Sequence, residues 1–134
     1  MNLRETSKLL YQLKLANQEM VARFEEKTGY SITRYELMLI VMENGPCSQS
    51  FIQTELKIDR AAVTRHLKFL EEMSYVKRER NQENKREIFV EATDLAISEL
   101  QKCDKKYSNN QQSATPLSED EENQLLQLLI KMMK

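Results

Sequence analysis

Apolar residues recur at helical spacing through the first part of the chain, where Leu9, Leu13, Ala16, Met20 and Phe24 form a stripe that Leu3, Leu10 and Leu15 widen. No breaker interrupts them, so one long helix is predicted from Asn2 to about Thr28, stopping before Gly29. A second helix is predicted behind the cap candidates Ser31 or Thr33. It carries Tyr35, Leu37, Met38, Ile40, Val41 and Met42 on nearly every face, as a central helix does, and ends at Asn44-Gly45-Pro46. Ser48 is placed to cap a third, short helix with Phe51, Ile52 and Leu56 inward, ending near Lys57-Ile58. Asp59 is placed to cap a fourth, whose Val63, Leu67 and Leu70 lie at spacings of four and three as far as about Met73.

The period then changes. Val76 to Arg80 and Arg86 to Ala92 read as two short strands joined by the charged turn Asn81 to Lys85. Thr93 can cap a fifth helix with Leu95, Ala96, Leu100, Cys103 and Tyr107, which fades in the polar run Ser108 to Ser113. Behind Pro116, Ser118 and Glu121 form a capping box for a last helix bearing Leu125, Leu126, Leu128, Leu129, Ile130, Met132 and Met133. The fold class is thus mainly α with a small β-wing, in which terminal helices flank a central lobe. Those terminal helices expose more apolar surface than one chain of this size can cover, and a two-fold homodimer is the commonest solution.

Composition narrows the picture. At 134 residues the chain has room for one domain, and only two glycines and two prolines leave little for loops. No apolar run spans a membrane and the start MNLRETSK lacks a secretory h-region, so no membrane partner and a cytoplasmic protein are expected. One histidine and two separated cysteines give no metal-ligand spacing and no disulfide framework. There is no glycine-rich phosphate loop or nucleophile set either, so no cofactor, no metal and no enzymatic activity are expected.

Charge distribution is more informative than the formal total of −1. From Lys57 to Val90 nine basic residues face six acidic ones, a surplus of three, so the remainder of the chain carries −4. The order helix, tight turn, helix and two-stranded ribbon is that of a winged helix-turn-helix. With Val63, Leu67 and Leu70 turned inward, Arg60, Ala61, Thr64, Arg65 and Lys68 project from the other side of the fourth helix. Those side chains suit double-stranded DNA: Arg pairs with guanine, Thr bonds a base edge or meets a thymine methyl, Ala admits close approach and Lys neutralises phosphate. Lys85 and Arg86 at the wing can place a cation in the adjacent minor groove. An ordinary solvated helix face would look similar, and the alternative function is a winged-helix protein-protein interaction module without sequence-specific DNA binding.

The stretch Gly45-Pro46, Ser48-Gln49-Ser50, Leu56, Ile58, Val63-Thr64-Arg65-His66-Leu67, Leu70-Glu71, Val76 and Arg78, between long helices at both ends, resembles the MarR family of winged-helix regulators. The resemblance covers nearly the whole chain. It implies a homodimer in which residues 1–30 and 94–134 interlock and the lobe 31–93 binds DNA. Such a dimer would read a pseudo-palindromic operator, usually as a repressor released by a small-molecule effector, an oxidant or a metal. The family's wing signature of Asp, any residue and Arg, then a strand and Leu-Thr, maps onto Asn84-Lys85-Arg86, Glu87 to Glu91 and Ala92-Thr93, which makes Arg86 the implied minor-groove contact. The sequence departs from the family at Asn84, at Gln53 where a small residue is common, at Ala96 where Gly is usual, and at Lys57. There a turn glycine is common, and a side chain is strained if φ is positive.

Candidate sensing groups are few. Cys47 and Cys103 are the candidate redox-sensing residues, against the plainer role of small buried apolar groups. His66, between the core and outer faces of its helix, is expected to pack or to touch phosphate. Met20, Met38, Met42 and Met73 with Tyr11, Tyr30 and Tyr35 can line an effector cavity or simply fill core.

Overall fold

A computed structural model describes residues 1–109 and 113–134. The polar run after the fifth helix falls partly on 110–112, outside the described residues. Helix α1 (Leu3–Thr28) starts at a capping box in which Asn2 and Glu5 bond each other's backbone N–H groups. It stops where Gly29 takes a left-handed conformation (φ 76°) and donates to the Glu25 carbonyl. Helix α2 (Ile32–Asn44) is capped by Ser31, and Glu25 Oε2 accepts from the Ile32 N–H at 2.9 Å, tying the α1 end to the α2 start. Helices α3 (Gln49–Leu56) and α4 (Arg60–Glu72) start at Ser48 and Asp59, whose side chains accept from Phe51 and Ala62 at 3.0 and 2.7 Å. Helix α5 (Asp94–Asn109) begins behind Thr93 and α6 (Glu119–Met132) behind the Ser118–Glu121 capping box. The six helices among the described residues were legible in the sequence to within a residue or two.

The sheet is larger than the expected ribbon. Strands β2 (Val76–Arg80) and β3 (Ile88–Ala92) form the antiparallel wing with Arg78 opposite Val90, and a two-residue strand β1 (Cys47–Ser48) joins the outer edge of β3, giving the order β1-β3-β2. The expected start of the second wing strand at Arg86 moves to Ile88, because Asn84 and Glu87 close the turn first through the Glu87 N–H and the Asn84 carbonyl. The segment before α3 was too short for any alternating pattern to announce β1.

The core lies in the middle of the chain. Leu37, Met38 and Val41 of α2, Ile52 of α3, Val63, Leu67 and Leu70 of α4, Val76 and Val90 of the sheet, and Ala96 and Leu100 of α5 form one buried cluster. Neither α1 nor α6 contributes a buried residue, and Leu9, Leu10, Tyr11, Leu15, Leu126, Leu128 and Met132 remain exposed. No helix among the described residues is long and apolar enough to cross a membrane.

Candidate nucleic-acid interface

Helix α4 is divided cleanly along its length. Val63, Leu67 and Leu70 are 1%, 0% and 3% exposed, while Arg60, Ala61, Thr64, Arg65 and Lys68 are all exposed on the other side. The Thr64 hydroxyl donates back to the Arg60 carbonyl at 3.0 Å, which restricts its rotamer while the residue stays exposed. Among the described residues none of the three cations Arg60, Arg65 and Lys68 has an ion-pair partner, and the one salt bridge of the lobe lies elsewhere. Glu71 at the far end of α4 accepts two bonds from Arg78 of β2, at 3.0 and 3.3 Å, and that pairing holds its carboxyl below the usual range. The pair joins the end of α4 to the wing rather than decorating the outer face.

The turn before α4 carries the strain anticipated from sequence. Lys57 takes a left-handed conformation (φ 57°, ψ 40°) to end α3, with its N–H on the Gln53 carbonyl at 2.9 Å. Ser74, also at positive φ (64°), turns the chain from α4 into β2. Thr93 locks that corner from the other end of the wing: its hydroxyl donates to the Ser74 carbonyl at 2.7 Å and accepts from the Ala96 N–H at 3.2 Å.

At the wing, Lys85 and Arg86 are exposed in the turn between β2 and β3. Asn84 Oδ1 accepts from the backbone N–H of Arg86 at 3.2 Å, so the residue standing where the family has Asp shapes the turn through the main chain. Arg80 Nη1 braces the same turn by donating to the Lys85 carbonyl at 2.8 Å. The structure also brings Arg86 and Arg60 to the walls of one small cleft with Gln49, a meeting of wing and helix that residue spacing alone could not place.

His66 is placed by a residue that no motif or spacing singled out. Arg34, in the first turn of α2, donates from Nε to His66 Nδ1 at 3.2 Å, and its guanidinium lies 3.6 Å from the centre of the Phe69 ring. Burial first, then the positive charges of Arg34 and Arg65, push the His66 pKa below its ordinary value, so the ring is neutral with its proton on Nε2. A lone cation in the first turn of a largely apolar helix was the only clue to this brace.

The candidate sensing residues fall apart in space. Cys47 is buried in β1, where desolvation raises its pKa; Cys103 on α5 is half-buried, raised by desolvation and then by Asp104, and its thiol donates to the Thr28 carbonyl at 3.8 Å. Neither environment favours the reactive thiolate. Cys103 does line a cleft of about 590 Å³ between the end of α1, the α4–β2 corner and α5, together with Tyr30, Met73, Tyr75, Glu99 and Tyr107. The Tyr30 and Tyr75 hydroxyls meet there at 3.1 Å, and burial followed by this bond raises the Tyr30 pKa. Of the other methionines and tyrosines in the expected cavity, Met38 belongs to the core, Tyr35 stacks edge-on against Phe24 and Tyr11 lies exposed on α1. Among the described residues no group of His, Cys, Asp and Glu is placed to hold a metal ion.

A helix with one polar face free, a short helix before it and a two-stranded wing after it, extended at its edge by β1, define a winged helix-turn-helix protein. The family model described as MarR family matches residues 30–88. The chain is 34% identical over 129 residues to the HTH-type transcriptional regulator YdgJ of Bacillus subtilis (strain 168), covering 96% of this chain and 79% of YdgJ. Its fold matches that of the transcriptional repressor CouR bound to a 23-mer DNA duplex, with a TM-score of 0.86 at 22% identity over 100% of this chain and 99% of the other. It likewise matches a cysteine-to-serine mutant of MarR from E. coli complexed with operator DNA, with a TM-score of 0.85 at 21% identity over the whole of both chains. This chain belongs to the MarR family of transcriptional regulators.

Proposed function

We propose that the protein is a homodimeric repressor that reads a pseudo-palindromic operator and is released by a small ligand or an oxidant. The reading is carried by one observation: Arg60, Ala61, Thr64, Arg65 and Lys68, the α4 side chains expected to touch DNA, are exposed, while Val63, Leu67 and Leu70, expected to face inward, are buried. Arg65 and Arg60 would donate to base edges, Thr64 and Ala61 would meet bases at close range, and Lys68 would neutralise phosphate. Arg86, with Lys85 beside it, would enter the minor groove next to the helix. Two copies of α4 related by a two-fold axis would reach successive major grooves about 34 Å apart, which calls for half-sites one helical turn apart.

The dimer is supported by the apolar side chains left exposed on α1 and α6, with residues 1–30 and 94–134 as the interlocking part and 31–93 as the DNA-binding lobe. An effector finds a place in the cleft at Tyr30, Tyr75, Cys103 and Tyr107, which lies between these two parts. Cys103 is the thiol that an oxidant entering the same cleft would meet.

The test is selection from a pool of random duplexes at two salt concentrations. An inverted repeat recovered with affinity that falls steeply as salt rises is the expected outcome. On that repeat, Arg65→Ala should cost about 1–3 kcal/mol and relax the preference at one position, whereas Lys68→Ala should weaken all duplexes alike and flatten the salt slope. No enrichment, or affinities unchanged in both variants, would overturn the reading in favour of a protein-binding winged helix.

A further inference from the structure

Among the described residues, the side-chain oxygen Oε1 of Gln49 is buried without a hydrogen-bond partner. A carbonyl oxygen shut away from water forfeits a bond, so it marks a place where a donor is wanted. The oxygen belongs to the first residue of α3, in a cleft with free space of only about 20 Å³. That is too little for a ligand, so a protein donor for this oxygen can come only from the walls. The strongest donors there are the guanidiniums of Arg60 and Arg86.

The sheet explains why Gln49 meets the wing at all. Pairing of Ser48 with Phe89 in the β1–β3 ladder sets the first residue of α3 beside the root of the wing turn. In that turn Asn84 is spent on the Arg86 backbone N–H and Arg80 on the Lys85 carbonyl, so neither bond reaches the Arg86 guanidinium. Arg86 is thus fixed at its main chain and loose at its head. Arg60 belongs to the outer face of α4, and entry of that face into a groove draws its head away from the cleft.

We propose that Gln49 is the positioning residue for Arg86: in the DNA-bound protein its amide oxygen accepts from the guanidinium and holds that plane against the start of α3, with the remaining N–H groups turned to the duplex. A guanidinium has five N–H groups in a rigid fork, so one bond to Gln49 leaves donors for the nucleic acid and lowers the entropy lost in ordering the side chain. This inference rests on the reading of α4 and the wing as a DNA interface.

The experiment is a double-mutant cycle on the full-length protein and the selected duplex, with Gln49→Leu and Arg86→Ala alone and together, and Arg60→Ala and Arg65→Ala for comparison. Gln49→Met, close to the native side chain in length but without the acceptor, stands beside Gln49→Leu in case the branched side chain does not fit. Each single change at 49 or 86 should weaken binding roughly fivefold to tenfold, and the double variant should be within about twofold of Arg86→Ala alone. The melting temperature of the Gln49 variants should hold or rise, since an apolar group replaces an unsatisfied polar one. Losses that multiply, affinity unchanged on removing the acceptor, a fall in melting temperature that accounts for the lost binding, or coupling to Arg60 instead of Arg86 would each overturn the proposal while leaving the DNA reading intact. A wild-type protein that selects no sequence, or Arg65→Ala binding like wild type, would overturn the DNA reading and this proposal with it.

Discussion

Two single residues carry costs that can be measured directly. Lys57 ends α3 in the left-handed region, where a Cβ crowds the following carbonyl, and glycine is the residue that avoids this. Lys57→Gly is expected to stabilise the protein by up to about 1 kcal/mol, the relief of strain being partly offset by the freer unfolded chain; urea unfolding checks it. At His66 the sign follows from its lowered pKa. As pH falls below the ordinary imidazole value the unfolded chain takes up a proton that the native ring resists, because burial and the Arg34 and Arg65 charges oppose it. Stability contributed by this site is therefore present above about pH 6.5 and is lost as pH falls through the lower native value. The urea midpoint should drop on going from about pH 7 to about pH 5, and drop less in His66→Gln, which keeps an acceptor for Arg34 but has no proton to gain.

At the scale of elements, what matters is how the wing is held at a fixed angle to α4. Three contacts do this: the Arg78–Glu71 pair, the β1–β3 ladder and the Thr93 hydroxyl shared between the Ser74 carbonyl and the Ala96 N–H. The ion pair is partly exposed, with the Glu71 side chain 43% accessible, so its worth is within about 1 kcal/mol after screening. Thr93 bears more, because it serves at once as the cap of α5 and the clasp of a strained turn. Thr93→Val keeps the shape and removes both bonds. It should cost about 1–2 kcal/mol in urea unfolding, and should reduce affinity for the selected duplex more than an equally destabilising core change such as Val41→Ala.

For the whole molecule the question is what covers α1 and α6. A monomer would leave Leu9, Leu10, Leu126, Leu128 and Met132 in water, whereas a two-fold partner would bury the same residues twice over. The melting temperature of the wild type should then rise with protein concentration, and Leu128→Asp should shift sedimentation toward the monomer and remove that dependence. A monomeric wild type with a concentration-independent melting temperature would show instead that the exposed stripes serve another purpose. Operator affinity should fall in Leu128→Asp even though residue 128 is far in sequence from α4, because two half-sites are read together only when two copies of α4 are held at a fixed spacing.

Helix positions, their caps and the inner and outer faces of α4 were written in the sequence, since each depends on a local rule: side chains three and four apart share a face, and a hydroxyl or carboxylate before the first turn satisfies free N–H groups. The strain at Lys57 could be anticipated for the same reason. Strand β1, the brace of Arg34 against His66 and Phe69, and the cleft that gathers Gln49, Arg60 and Arg86 could not be anticipated. Each of them joins residues separated by some ten to forty positions, and only the packing of α2, α3 and the sheet around one core brings such groups within bonding distance.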